Sequence, residues 1–157
     1  MIRTRQRGLT IVEMLAALGV MMVLLSIAIP LTRWNDKRRR EEQLRMELQM
    51  MRDAIDQYKK LSDEGKIQQK DIDQKGYPRT LEELTDGVDV GEPKSGKTRK
   101  MHFLQRIPVD PFTGEADWGK RSYQDDWDAT SWGAENVFDV YSLSDIQALD
   151  GTYYKDW

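Results

Sequence analysis

Between Leu9 and Ile29 only Thr10, Glu13, Gly19 and Ser26 interrupt an otherwise apolar run. A helix over these 21 residues would be about 31 Å long at ~1.5 Å per residue, which matches the hydrocarbon thickness of a bilayer. The run exceeds the ~7–15 residues of a secretory h-region. It leads through Ile29-Pro30 into a charged segment with no small-residue cleavage site, so it is expected to stay attached as an anchor. Everything beyond Leu31 is polar enough to bring the mean hydropathy down to -0.72. One anchor plus one small domain is the organisation that 157 residues allow. Arg3, Arg5 and Arg7 precede the run, and Arg33 and Lys37–Arg40 follow it, so the positive-inside rule does not set its orientation. There is no cysteine, which excludes a disulfide staple.

Glu13 is the residue in the run that needs an explanation. A carboxylate at the centre of a spanning helix costs on the order of 2.5–3.5 kcal/mol, less near an end, and such an acid either snorkels to the interface or has a partner. Its surroundings, Arg7-Gly8-Leu9-Thr10-Ile11-Val12-Glu13, resemble the class III signal of type IV pilins and of the pseudopilins of type II secretion. In that family a basic leader is cut after a glycine, the exposed hydrophobic residue is N-methylated, and a glutamate stands at the fifth mature position. Counted from Leu9, Glu13 is fifth, and Pro30 falls at position twenty-two, where the family's helix commonly has a proline. The resemblance implies cleavage between Gly8 and Leu9, methylation of Leu9, and a bend or local unwinding at Pro30. It also implies that Glu13 meets the α-amino group of a neighbouring subunit's Leu9. Burying both charges together fixes register more than it adds net stability. The division that follows is a leader at 1–8, a transmembrane helix at 9–31, an amphipathic spine helix at 32–61 and a soluble head at 62–157.

Trp34 to Leu61 contains no Gly or Pro, and its apolar residues Leu44, Leu48, Met51, Ile55 and Tyr58 are spaced four, three, four and three apart. That is one helical stripe, expected to pack on the chain's own sheet. The run Lys37–Arg40 has no interleaved aromatics and is followed at once by Glu41-Glu42. It reads as a solvated face or a contact for acidic heads, not a nucleic-acid site. Residues 62–66 end the helix, and Tyr77–Leu84 reads as a loop entering a short helix with a Thr80/Glu83 capping box. Residues 85–100 lack an apolar period and read as a mobile surface loop. Gly91–Thr98 satisfies the letters of a phosphate-binding loop but lacks the buried strand before it and the helix after it. Arg121–Gln124 and Asn136–Ser142 read as strands of a small antiparallel sheet over the spine. The expected fold class is therefore α+β, a long N-terminal helix packed on a small antiparallel sheet, as in type IV pilin-like proteins.

Two further stretches carry the resemblance. Phe103-Leu104-Gln105-Arg106-Ile107-Pro108-Val109-Asp110-Pro111 is similar to the segment before the sheet of major pseudopilins, and Phe138–Leu143 is similar to their final strand. The family's Asp-Pro-Trp-Gly is here Asp110-Pro111-Phe112-Thr113, and a Trp-rich segment, 115–136, follows. Trp118, Trp127 and Trp132 read either as aromatic anchors for a small core or as a sugar-binding platform. His102 reads as an ordinary surface residue. Major pseudopilins bind calcium just after the final strand, which suggests the Leu143 carbonyl, Asp145 and Asp150 as ligands, with Asp156 as a substitute. The competing reading is a set of acidic turn residues without metal, the loop being held by packing of Tyr153, Tyr154 and Trp157.

No Cys, metal-spaced His pair or nucleophile motif is present, so the chain does not read as an enzyme. The resemblance implies a structural subunit of a type II secretion pseudopilus, single-pass in the bacterial inner membrane with its head in the periplasm. Its implied partners are copies of itself and other pseudopilins, the prepilin peptidase, the inner-membrane secretion platform and membrane lipid. The alternative within the family is a type IV pilin or minor pilin for adhesion, motility or DNA uptake. Outside it stands a membrane-anchored binding protein with Gly8 uncleaved.

Overall fold

The structure, a computed structural model, describes residues 10–67, 71–91, 98–126, 129 and 131–157, and of residues 27–33 the backbone alone. The chain divides into two compact units, residues 1–39 and 40–157. Helix α1, Ile11–Asp63, begins in the first and ends in the second.

In the first unit Thr10 caps the helix. Its Oγ1 accepts from the Glu13 N–H at 3.3 Å, and its carbonyl accepts from the N–H groups of Glu13 and Met14 at 3.1 Å each. This satisfies donors that a helix start leaves orphaned, and Glu13 in the first turn complements the positive end of the helix dipole. Every described side chain from Thr10 to Ser26 is exposed. Among the described residues no helix is long and apolar enough to cross a membrane. The expected span of 9–31 takes in Leu9 and residues 27–31, which lie outside the described side chains.

In the second unit the predicted stripe is the core. Leu44, Leu48, Met51, Ile55 and Tyr58 are all buried, joined by Ala54. The helix stops at Gly65, whose φ of 70° suits glycine. The Gly65 N–H donates to the Ser62 carbonyl and the Lys66 N–H to the Leu61 carbonyl, both at 2.9 Å, the paired bonds that close a Schellman end. The stripe is covered by Leu81 and Leu84 around the short helix α2 (Glu82–Asp86), by Leu104 and Trp118, and by Val137, Val140 and Tyr154.

Among the described residues, two two-stranded antiparallel sheets stand where one was expected. Strands β1 (Val88–Gly91) and β2 (Thr98–Met101) pair with Val88 opposite Met101. Strands β3 (Gly119–Arg121) and β4 (Asp139–Tyr141) pair with Gly119 opposite Tyr141. The expectation of a loop over 85–100 is thus corrected at both ends, residues 92–97 lying outside the described residues. Val88 and Val90 pack against the core while Asp89 faces out, a period-two signal too short to register, and β2 is mostly exposed and polar. Since Thr98 opens a strand, the helix that a phosphate-binding loop requires is absent there.

Strand β3 shares only Arg121 with the expected Arg121–Gln124, and β4 is the inner part of the expected Asn136–Ser142; past Arg121 side chains take over the backbone donors. The Ser122 N–H donates to Asp125 Oδ2 at 2.7 Å and the Tyr123 N–H to Asn136 Oδ1 at 3.0 Å. Local side-chain acceptors of this kind compete with a ladder. The Thr80/Glu83 capping box is also displaced: α2 starts at Glu82, and the Glu83 carboxylate accepts from the Arg79 N–H at 3.0 Å. Trp118 is buried and its Nε1 donates to the Pro108 carbonyl at 2.9 Å. Half-buried Trp132 donates to the Asn136 carbonyl at 2.8 Å. Both are core anchors, which leaves no sugar-binding platform built on Trp118; Trp127 lies outside the described residues. His102 is exposed, with Nδ1 2.7 Å from the Thr85 carbonyl.

Candidate functional site

Gly8 and Leu9, the expected cleavage and methylation positions, lie outside the described residues. Pro30 falls within α1, and its side chain lies outside them too. Glu13 is fully described: its N–H is held by the Thr10 cap, the residue is exposed, and among the described residues no hydrogen bond or ion pair engages its carboxylate. The first turn of α1 therefore fixes the backbone of Glu13.

The two stretches that resemble pseudopilins in the head are brought together by a buried carboxylate. Asp110 is fully buried. Its Oδ1 accepts from the Phe112 N–H at 2.7 Å and the Thr113 N–H at 3.4 Å, and its Oδ2 accepts from the Ser142 hydroxyl at 2.6 Å. Burying a carboxylate is tolerable only with donors of this kind around it. Ser142 Oγ in turn accepts from the Ser144 N–H at 3.1 Å, passing the order of the Asp110 turn into the segment after β4.

That segment is tied to α1. The Glu41 carboxylate accepts from the Leu149 N–H at 2.8 Å and from the Tyr154 hydroxyl at 2.9 Å. The Arg45 guanidinium reaches Asp150 at 3.4 Å and lies 3.7 Å from the centre of the Trp157 ring. Arg52 pairs with Asp139 at 2.7 Å and donates to the main-chain oxygens of Val140 at 3.0 Å and Trp157 at 2.9 Å. Tyr154 stacks on Phe112 with centroids 4.0 Å apart, and burial followed by the Glu41 hydrogen bond pushes its phenol well above the ordinary value.

Two of the expected calcium ligands, Asp145 and Asp150, have partners within this chain. Asp145 pairs with Lys155 at 3.2 Å, and the hydrogen bond to that carboxylate raises the lysine's pKa. Asp150 Oδ1 accepts from the Thr152 hydroxyl at 2.6 Å and its N–H at 2.9 Å, and these bonds, with Arg45 contributing less, hold its pKa below the ordinary value. Leu143 and Asp156 are exposed. Among the described residues no group of three or more His, Cys, Asp or Glu side chains is placed to hold a metal ion.

Residues 3–29 match the prokaryotic N-terminal methylation motif. The chain is type IV pilin-like. The pilin-like chain is also similar along most of its length to "Type II secretion system core protein G" of three bacteria. It is 26% identical to the Klebsiella pneumoniae protein over 141 residues, covering 88% of this chain and 84% of the relative. Against the Pseudomonas aeruginosa protein the identity is 24% over 143 residues, 90% of this chain and 84% of the relative. Against the Escherichia coli protein it is 23% over 140 residues, 88% and 81%. No solved structure matches the chain. Sequence reasoning on the pilin-like chain missed both the Asp110–Ser142 bond and the Glu41, Arg45 and Arg52 contacts. The first had a signal, since its two partners sit in the two head segments that resemble the same family.

Proposed function

We propose that this pilin-like chain is a structural subunit, most like a major pseudopilin, of a type II secretion pseudopilus, a short periplasmic filament supporting protein export across the outer membrane. The observation that carries this reading is the N-terminal methylation motif at residues 3–29 in a chain similar to core protein G over about nine-tenths of its length. A type IV pilin or minor pilin is less favoured, because the relatives bear a secretion-system name. The role is architectural and not catalytic. The subunit is associated with the bacterial inner membrane, crossing it once through residues 9–31 with the head in the periplasm. The apolar residues of α1 from Ile11 to Leu25, exposed within their own chain, support this reading. Prepilin peptidase cuts between Gly8 and Leu9 and Leu9 is methylated. Glu13 then pairs with the Leu9 amino group of a neighbouring copy or another pseudopilin, and Pro30 lets the helix adjust. The inner-membrane secretion platform and lipid are the remaining partners; nucleic acid is not one.

Mass spectrometry of the protein extracted from membranes of cells containing the peptidase tests the reading. The expected mature species begins at N-methylated Leu9. An intact Met1 terminus in such cells would overturn it, and Gly8→Ala should leave most of the protein as precursor.

A further inference from the structure

We infer that the segment from Leu143 to Trp157 is closed by side chains of α1 and by Lys155, and that this chain does not use calcium to close it. The family resemblance implies calcium at Leu143, Asp145 and Asp150, yet each carboxylate is matched by a donor from the chain itself. Lys155 stands at Asp145; Thr152 and Arg45 stand at Asp150. A calcium ion would have to compete for these carboxylates with the Lys155 and Arg45 cations and with the Thr152 hydrogen bonds.

The α1 side chains form a set. Glu41, Arg45 and Arg52 are four and seven residues apart, a spacing that puts them on one face of a helix. They grip successive points of the segment: the Leu149 N–H and Tyr154 hydroxyl, the Asp150 carboxylate and Trp157 ring, and the Trp157 main-chain oxygen together with β4. The ion pairs of Arg45 and Lys155 are solvent-exposed and contribute little each. Glu41 and Arg52 do more. Arg52 is only partly exposed and combines a carboxylate with two carbonyls, and Glu41 accepts from fully buried Tyr154. The closure is thus a clamp from the spine, and the loop acids are turn formers.

The test uses the full chain in detergent micelles, so it does not depend on filament assembly. Thermal unfolding is followed in millimolar calcium and in a calcium chelator for the unaltered chain, Glu41→Ala and Arg45→Ala, alongside a calorimetric titration with calcium. The expected result is the same melting temperature in both buffers and no saturable calcium heat. Glu41→Ala should lower the melting temperature by about 4–8 °C, and Arg45→Ala by about 2 °C, equally in both buffers. A lower melting temperature in chelator, or saturable calcium binding, overturns the inference. So does a Glu41→Ala chain that melts like the unaltered one, even if calcium has no effect, because the clamp would then be idle.

Discussion

Ile11, Leu15, Leu18, Met22 and Leu25 follow helical spacing as closely as Leu44, Leu48, Met51, Ile55 and Tyr58 do, and both sets lie on α1. The first set is 52–78% exposed; none of the second exceeds 3%. The difference lies in the residues between. Around the second set stand Arg45, Glu47, Gln49 and Arg52, so the helix has one apolar stripe and one cover suffices, which the head supplies. Around the first set stand Val12, Met14, Val20, Met21, Val23 and Leu24, which are apolar too, so no single face of a folded chain could bury it. On the function proposed above, such a helix is finished by lipid and by other copies, and Glu13 is the group that tells a copy from lipid.

That contrast can be broken in graded steps. Leu48→Ala should cost about 2–5 kcal/mol of head stability through lost burial and the cavity left behind, whereas Met22→Ala should leave the head's denaturant midpoint unchanged. Equal losses from the two would show that both regions share one cover. Asp110→Ala removes no apolar packing but strands the Ser142 hydroxyl and the Phe112 N–H. A loss of about 2–3 kcal/mol in urea unfolding is expected; a neutral result would mean that water replaces the carboxylate. Glu13→Ala should leave head stability and membrane insertion intact, because it makes the helix more apolar, while cysteine-free chemical crosslinking in cells finds few filaments. Normal filament yield from this variant would remove the charge-pairing reading. Thr10→Ala should weaken the helix start by about 0.5–2 kcal/mol, read as fraying by amide exchange at Glu13 and Met14 and not as a change in the head.

The smallest effect is a pH dependence. The folded pKa of Asp150 lies below its ordinary value of 3.8, so the stability it contributes is present above that value and lost as pH falls through the folded pKa. Urea midpoints of the unaltered chain and Asp150→Asn should therefore differ slightly near neutrality and converge in acid. A gap that widens toward acid would reverse the sign of the linkage.

The sequence made α1 and its stripe legible because the four-and-three spacing over Leu44–Tyr58 fits one period, and β4 was legible because the run Val137–Tyr141 is dense in strand formers. Strands β1 and β2 were not legible, since only Val88 and Val90 turn inward and Thr98–Met101 has the composition of a loop. The shortened ladder of β3 and β4 depends on where the Asp125 and Asn136 side chains point, which spacing does not encode. Asp145 and Asp150 illustrate a deeper limit. A turn acid has the same letters whether a metal, a lysine or a threonine meets it, and the partner on α1 is 105 residues away in the case of Arg45.

Those separations also set a timetable. The contacts that fasten α1 to the segment beyond β4 join residues 105 to 113 positions apart. At ~5–20 residues per second of synthesis, the stripe from Leu44 to Tyr58 emerges roughly 5–20 s before the chain that covers it. For that interval it is an uncovered apolar face, which a holding chaperone would be expected to cover. Synthesis arrested before Val137 should leave the stripe open to a chaperone crosslink that disappears when translation resumes.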